Sequence, residues 1–199
     1  MEKIIAKAFE ELTESLGLAY KRSDLLVRAA DMISGCLTQG GVVYLCGNGG
    51  SAAEAQHFAA EFVGRFLIER PGLSAVALTT DTSKLTAIGN DYGYGEVFAR
   101  QIKALGRPGD VLWGLSTSGT SKNVLKAFEV ASAGGLGTIF MCGAKIHDPG
   151  AADLIIDGPA PNTPRIQELH LLYGHVICQL VDHVIVEGGA AALGRGRSR

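Results

Sequence analysis

The stretch from Val42 to Phe66 constrains the fold most, because it reads as a strand, a tight turn and a helix in succession. Val42 to Cys46 is a short apolar run with β-branched residues at its start, which is typical of strands buried on both faces. The run ends in Gly-Asn-Gly-Gly-Ser, where glycine permits backbone angles that other residues resist. Ser51 is a good N-cap for a helix over 52–66. This order predicts one βα unit of a parallel sheet.

The turn between that strand and helix is a candidate anion site. Unpaired N–H groups at a helix N-terminus point into such a turn, and the helix dipole favours negative charge there. The phosphate-loop pattern Gly-x-x-x-x-Gly-Lys-Ser/Thr and the dinucleotide pattern Gly-x-Gly-x-x-Gly both fail to match. A tight βα turn without a ligand therefore stays open as the alternative for this stretch alone.

His57 and Glu61 on the following helix are four residues apart, so they share one face. An imidazole and a carboxylate one turn beyond an anion-accepting turn could bind a metal or move protons. A pair of this kind is more often a surface pair or a capped core histidine. The functional interpretation therefore depends on other polar residues reaching the same place.

The composition indicates one soluble globular domain. The chain has 199 residues, of which 47% are hydrophobic and 19% charged, and its formal net charge is −2. That charge gives no reason to expect nucleic acid or a membrane as partner. The four cysteines are scattered without a Cys-x-x-Cys pattern, which is typical of a reducing cytoplasm. With no signal-peptide pattern and no apolar run of about 18 residues, we expect a cytoplasmic protein.

Strands and helices alternate along the rest of the chain. Two helices, over 2–20 and 23–37 with Ser23 as N-cap, precede the first strand, and we expect them to pack on another copy of the chain. Later strands are expected over 74–78, 111–115, 136–142 and 153–156. Later helices are expected over 84–88, 97–105, 122–133 and 164–186. The pattern predicts an α/β fold, a three-layer αβα sandwich with a five-stranded parallel sheet and added N-terminal helices.

We expect a single domain over 1–187, including the N-terminal helical region 1–40. Glycine and arginine dominate the last residues of the chain, so 188–199 is expected to be a disordered tail.

A second polar turn, Ser116-Thr117-Ser118-Gly119-Thr120-Ser121, follows the strand over 111–115. Hydroxyls at a strand-to-helix junction add donors to the N–H groups and make a second possible anion site. Clusters of serine and threonine also form ordinary caps and turns. The position at the carboxyl end of a parallel strand favours a ligand, because open α/β sheets bind ligands there.

Five motifs together resemble the phosphoheptose isomerase family of sugar-isomerase (SIS) domain proteins. The similarity covers about 1–187, and the motifs occur in order at matching intervals. They are Cys46-Gly-Asn-Gly-Gly-Ser51, Ala55-Gln-His-Phe-Ala-Ala-Glu61, Thr86-Ala-Ile-Gly-Asn-Asp91, Leu115-Ser-Thr-Ser-Gly-Thr-Ser121 and Arg165-Ile-Gln-Glu-Leu-His170. The resemblance implies conversion of sedoheptulose 7-phosphate to D-glycero-D-manno-heptose 7-phosphate, the first step toward ADP- or GDP-heptose and lipopolysaccharide.

The resemblance also implies the substrate-binding residues. The hydroxyls that would hold the phosphate are those of Ser116, Thr117, Ser118 and Ser121. The sugar site would be lined by Asn48, Gly49, Gly50, Ser51, Glu61, Asn90, Asp91 and Gln167.

A further implication is one zinc ion per subunit, in a homotetramer with a helical core and active sites between subunits. The zinc ligands would be His57, Glu61, Gln167 and His175. Gln167 and His175 are eight residues apart, about 12 Å of rise on a straight helix. They can share one metal only if the helix kinks, for example near Gly174, or if they come from different subunits. We expect the second arrangement.

Aldose–ketose isomerisation moves a proton between C1 and C2 through an enediolate. By the resemblance Glu61 is the base and His175 the acid, and both residue types suit these roles. We expect His175 to titrate near pH 7, each group to contribute about 10²–10⁴-fold, and zinc to polarise the carbonyl.

The alternative is a non-catalytic SIS module that binds a sugar phosphate or a replication initiator. The related SIS proteins that bind the replication initiator lack the second histidine of the last helix, so the presence of His175 favours the enzyme. The remaining candidates are expected to be structural: His170 and Trp113 in packing, His183 in solvent, and Cys46 in the core rather than as a nucleophile. His147 is expected in a loop.

Overall fold

The computed structural model describes residues 1–144 and 150–195. Its helices are α1 Glu2–Ala19, α2 Ser23–Thr38, α3 Gly50–Val63, α4 Thr82–Tyr92, α5 Ala99–Leu105, α6 Lys122–Ala133 and α7 Thr163–Arg195. Its strands are β1 Val43–Cys46, β2 Ala75–Ala77, β3 Val111–Ser116, β4 Gly137–Gly143 and β5 Leu154–Gly158. Short 3-10 helices cover Tyr20–Arg22 and Tyr94–Glu96.

The five strands form one parallel sheet in the order β2-β1-β3-β4-β5. In the register Leu45 lies between Ala77 of β2 and Trp113 of β3. The chain passes from β1 to β2 on one side and then crosses to β3 on the other. The strand order therefore reverses between β1 and β3, and their carboxyl ends flank the crevice where such sheets bind ligands. The predicted fold class is confirmed.

Side chains of each strand alternate between two apolar cores, as expected for a sheet covered on both faces. Val43 and Leu45 point into one core, with Trp113, beneath α2, α3 and α7. Tyr44 and Cys46 point into the other, beneath α5 and α6. The helices on the first face and those on the second therefore bring different residues to the same crevice.

Helix α7 lies across the first face and packs against α2, α3, β4 and β5. By length and composition alone its segment Thr163–Glu187 could cross a membrane. Leu169, Tyr173, Ile177 and Val181 are buried in the apolar core beneath it, so we assign α7 as the core helix of a folded domain.

Several element boundaries differ from the sequence expectation. The helix expected to end near Val186 continues to Arg195, because the run Ala190-Ala-Ala-Leu193 favours helix. Part of the segment expected to be disordered is thus helical, and 196–199 lie outside the described residues. Helix α2 has Arg22 as N-cap, and the Ser23 hydroxyl donates to the Tyr20 carbonyl at 2.5 Å instead of capping.

Helix α3 begins two residues earlier than expected, with Gly49 rather than Ser51 as its N-cap, and it ends three residues earlier, at Val63. Gly49 has a φ of +56°, a conformation that glycine adopts without cost. Helix α4 is longer than expected at both ends. Asp81 caps its start, accepting from the Lys84 N–H at 3.0 Å, and Gly93 with a φ of +86° ends it after Tyr92.

Candidate active site

Two asparagines join the two polar turns at the crevice. The Asn48 side-chain amide donates to Asn123 Oδ1 at 2.9 Å, and the Asn123 amide donates back to Asn48 Oδ1 at 2.8 Å. Asn123 Oδ1 also accepts from the Val124 N–H in the first turn of α6, and the Tyr94 hydroxyl reaches Asn48 Oδ1 at 3.4 Å. The turn after β1 is thus fixed to the start of α6.

Asn123 was missed in the sequence because it sits in an ordinary helix-start pattern. Its signal is a polar residue on the apolar face of α6, next to Val124 and in line with Ala127, where an amide needs a partner. Its side chain is buried, and Asn48 supplies that partner.

The serine turn, residues 116–121, gathers its hydroxyls at the N-terminus of α6. Ser116 Oγ lies 2.9 Å from Ser121 Oγ, and Ser118 Oγ accepts from both the N–H and the hydroxyl of Thr120. Gly119 closes the turn with a φ of +67°. Ser121 is the N-cap of α6, but its side chain makes no capping bond. Donors at the helix start thus stay available to an anion.

A cleft of about 710 Å³ opens beside the serine turn. Thr117 and Ser118 form part of its wall, and Glu11 and Glu14 of α1 face them across it. The remaining wall comes from the ends of β4 and β5, with Gly143, Ala144, Pro159, Ala160 and Pro161. Helix α1 therefore lines the cleft beside the serine turn, in addition to the packing role expected for it.

Two turns along α3 from the turn after β1, the structure brings together three of the predicted residues, His57, Glu61 and His175. His57 Nε2 lies 2.7 Å from His175 Nε2 and 3.6 Å from Glu61 Oε1. Since the two histidines are 118 positions apart, one on α3 and one on α7, the i,i+4 pair has the additional polar neighbour that its functional interpretation required.

Close packing of α3 on α7 sets this geometry. A Cβ at Gly174 would lie 2.1 Å from the Phe58 ring, so only glycine lets the two helices approach this closely. The ring of Phe66 stacks on His175 with centroids 5.4 Å apart. Desolvation, followed by the charge of His57, lowers the pKa of His175, while Glu61 opposes the shift. The expected titration near pH 7 is therefore corrected: His175 stays neutral to a lower pH.

Gln167 lies apart from that cluster within one chain. Its side-chain amide rests on Gly50, where a Cβ would lie 2.2 Å from Nε2, at the start of α3. Helix α7 runs without interruption past both Gln167 and His175, so the two side chains reach different levels of α3, as their spacing requires.

The residues fit zinc in type but need a small adjustment. Two imidazoles and a carboxylate are an ordinary zinc donor set. Two nitrogens bound to one tetrahedral zinc stand roughly 3.3 Å apart, more than the 2.7 Å between His57 and His175. Within 1–144 and 150–195 no group of three or more His, Cys, Asp or Glu residues has metal-binding geometry. The His57 side chain is 40% exposed, so it is the less confined of the two imidazole ligands by neighbouring rings.

Asn90 and Asp91 stand in the last turn of α4 and are both exposed. The Asn90 amide donates to Asp91 Oδ1 at 2.8 Å. Their interactions seen in the structure do not join them to either polar turn. Of the neighbouring loop, it is Tyr94 that reaches the crevice.

The structural expectations for other residues are confirmed. His170 is fully buried, with Nε2 3.2 Å from the Cys142 carbonyl, and burial lowers its pKa to about 4. Trp113 is buried and stacks on Phe58, and burial raises the pKa of the Cys46 thiol to about 12. His183 is exposed beside Glu187. His147 lies outside the described residues.

Glu54 is a further carboxyl on α3, three residues before His57. It lies one turn before Phe58 on α3, burial raises its pKa to about 7, and a hydrogen bond from Ser51 opposes that shift. One of its oxygens is buried and finds no partner in the part of the chain that the structure describes. The spacing of 54, 58 and 61 along one helix face was the sequence signal for it.

The fold and the polar turns at its switch point define the class of protein. A model of the SIS domain family matches residues 9–143, so this is a SIS-domain protein. Phosphoheptose isomerase of Desulfovibrio desulfuricans is 51% identical over 172 residues, 86% of this chain and 82% of the relative. That of Thermodesulfovibrio yellowstonii is 46% identical and spans 96% of both chains.

The solved structure of phosphoheptose isomerase from Neisseria gonorrhoeae superposes with a TM-score of 0.83 and 44% identity, covering 92% of this chain and 99% of the other. The chain belongs to the phosphoheptose isomerase family.

Proposed function

We propose that this chain is an aldose–ketose isomerase that converts sedoheptulose 7-phosphate to D-glycero-D-manno-heptose 7-phosphate through an enediolate. The observation that carries the proposal is the convergence of His57, Glu61 and His175 where α3 packs on α7. The substrate class is inferred from the relatives, which are named phosphoheptose isomerase. A reaction of this kind needs a base at the carbons, a donor at the oxygens and a distant grip on the phosphate, and the residues can divide these tasks.

Glu61 is the proposed base: it takes the proton from C1 of the ketose and returns it to C2. The proton of the O1 hydroxyl passes to O2 by way of the His175 imidazole, which leaves the aldehyde at C1. The Glu61 carboxylate is one-fifth exposed, which leaves it accessible to a substrate carbon. His175 is the proposed partner at the substrate oxygens. Because its pKa is lowered, it acts as a neutral imidazole that donates an N–H to the developing enediolate oxygen.

The serine turn is proposed to hold the phosphate. Hydroxyls of Ser116, Ser118 and Ser121 surround the uncapped start of α6, where anions are favoured. The amide pair of Asn48 and Asn123 would keep this grip at a fixed distance from the turn after β1. Gly49, Gly50 and Ser51 of that turn remain the proposed sugar contacts, with Asn90, Asp91 and Gln167.

A zinc ion is proposed to be held by His57, Glu61 and His175, with Gln167 as the fourth ligand. When bound, zinc would act as a Lewis acid that polarises the substrate carbonyl. Because Gln167 rests on Gly50 within one chain, we keep the proposal that one site uses residues of two subunits.

A homotetramer is proposed from the apolar surface that one chain leaves uncovered. Ile5, Phe9 and Leu16 form an exposed stripe along α1, with Phe9 70% exposed. Beside it Arg165 Nε and Glu168 Oε2 are shielded from water yet lack partners among the described residues. A helical core made by four copies would cover both. A cytoplasmic location and a role in heptose supply for lipopolysaccharide belong to the same proposal.

The test is turnover of sedoheptulose 7-phosphate by wild type and Glu61→Gln, each after chelation and after added zinc. We expect wild type to turn over and kcat of the variant to fall by about 10²–10⁴-fold, because the amide cannot accept the proton. Comparing the chelated samples with those given zinc decides whether turnover needs the metal. Protein that binds the sugar phosphate without turnover in any arm would support a non-catalytic module instead.

A further inference from the structure

Arg70 lies in the irregular segment between α3 and β2, and its side chain is only 2% exposed. Its guanidinium makes five hydrogen bonds. Three go to the carbonyls that end α3: Nη2 donates to Glu61 at 2.9 Å, and Nη1 donates to Phe62 at 2.8 Å and to Gly64 at 3.3 Å. The last carbonyls of a helix have no partner within it, so this cation caps the C-terminus of α3.

The remaining nitrogen ties this cap to α7. Arg70 Nε donates to Asp182 Oδ1 at 2.6 Å, and Asp182 is fully buried. Asp182 stands seven residues after His175, two turns further on the same face of α7. The helix that carries His175 is thereby bonded, through one guanidinium, to the main chain of Glu61.

These bonds complete a closed path of contacts. The main chain of Glu61 is held by Arg70, Arg70 by Asp182, and Asp182 shares α7 with His175. The His175 ring meets His57, and His57 meets the Glu61 carboxylate. The thiol of Cys178 lies inside this path: burial raises its pKa, and the charges of Glu61 and Asp182 add to the shift.

A contribution to stability alone does not explain a buried ion pair such as that of Arg70 and Asp182. Apolar residues of similar volume replace buried ion pairs with little loss of stability, and sometimes with a gain. Arginine does what an apolar pair cannot, because its planar fork fixes direction and distance toward several acceptors at once. The acceptors here are the end of one helix and the side of another.

We infer that Arg70 and Asp182 are positioning residues that set the distance between Glu61 and His175. This inference rests on the proposed function, in which these two groups act together on one substrate. Neither Arg70 nor Asp182 contacts the crevice, so both act through the helices that they join. A displacement of about 1 Å between catalytic groups can cost on the order of 100-fold in rate.

The test uses the double variant Arg70→Met/Asp182→Leu, because a single truncation leaves an unpaired buried charge and risks unfolding. We expect the variant to fold with a lower Tm than wild type, because methionine leaves the carbonyls that end α3 without their donor. We expect kcat for sedoheptulose 7-phosphate to fall at least about tenfold while KM changes less than about threefold. KM should be spared because the serine turn makes none of the bonds that are lost. Arg70→Lys, which keeps the charge but not the fork, should lie between.

The matched control is Arg22→Met/Asp157→Leu. Arg22 and Asp157 also form a two-bond pair, at 2.8 and 2.5 Å, but it joins the first 3-10 helix to β5. We expect this control to retain kcat. A thiol reagent applied to the native proteins gives a second control, since all four cysteines are buried. New labelling of Cys178 in the double variant would mean that α3 and α7 have separated, and would overturn a role limited to positioning.

Ring ¹⁵N shifts of His57 and His175 are recorded on the same samples, because they report the imidazole contact without any substrate. The inference expects them to move in the Arg70/Asp182 variant and not in the control. Unchanged shifts, wild-type kcat, or an equal loss in the control would each overturn it. A wild type that shows no turnover would contradict the proposed function, while the ring shifts would still decide the positioning.

Discussion

The proposed site has two halves, the serine turn and the histidine–glutamate cluster on α3 and α7, and they are stabilised in different ways. The serine turn is stabilised by short-range bonds: Ser116 to Ser121, Thr120 to Ser118, and Gly119 to Ser116. The cluster of His57, Glu61 and His175 depends on α3 and α7, which are far apart in the chain and meet through Gly174 and Phe58. One half is built by neighbours in sequence, the other by tertiary packing.

Because of this difference, the two halves should respond differently to substitutions. A local turn keeps its shape when distant packing changes, so its loss should be confined to phosphate binding. A cluster shared by two helices should respond to any change in how those helices meet. Three substitutions sharpen or break this comparison.

The largest effect is expected for His175→Asn. The variant removes the imidazole from the α7 side of the cluster but keeps a polar group of smaller size. We expect kcat to fall by about 10²–10⁴-fold with KM within a few-fold, because the phosphate grip stays intact. Steady-state kinetics decide it, with His183→Asn as the control, since that histidine is exposed. A rise in KM alone would break the division of labour.

A smaller effect is expected for Gly174→Ala. The new Cβ would stand about 2 Å from the Phe58 ring, so the two helices must move apart. We expect a loss of about 1–3 kcal/mol in the free energy of unfolding, together with reduced kcat. Urea denaturation measures the first.

The control for that variant is Gly35→Ala, at a glycine inside α2 where an added Cβ would meet no atom within 4 Å. It should gain up to about 1 kcal/mol through helix propensity. Equal behaviour of the two variants would contradict close packing at Gly174.

The smallest effect is expected for Ser118→Ala in the serine turn. Loss of one hydroxyl to a charged ligand should cost about 1.5 kcal/mol, a rise of about tenfold in KM. The unfolding free energy and kcat should change little, because the bonds that remain are local. Ser132→Ala on the exposed end of α6 is the control. A fall in kcat as large as that of His175→Asn would mean that the two halves are not independent.

The same division explains what the sequence could predict. The βα units, the parallel sheet that they form and the serine turn follow from residues close together in the chain, and these expectations agree with the structure. The contact of His57 with His175 spans 118 positions, and no periodicity within either helix indicates it. Only the resemblance to a family placed both in one site.

Individual residues show why the remainder was missed. Asn123 looked like an ordinary first-turn residue until its partner Asn48 was in place. Arg70 precedes Pro71-Gly72, a pair typical of a connecting turn, although its fork bonds two helices. Each depends on a partner that a local reading does not contain.

The contact of Gly174 with Phe58 is a point about which α7 could rotate as a rigid helix. Gln167 lies seven residues to one side of that point and Asp182 eight residues to the other, arms of about 10.5 and 12 Å. A rotation of α7 by about 5° around this contact would move Gln167 and Asp182 by about 1 Å each, in opposite directions. The bonds at Asp182 and the packing of Gln167 on Gly50 therefore restrain the same rotation from opposite sides of the contact.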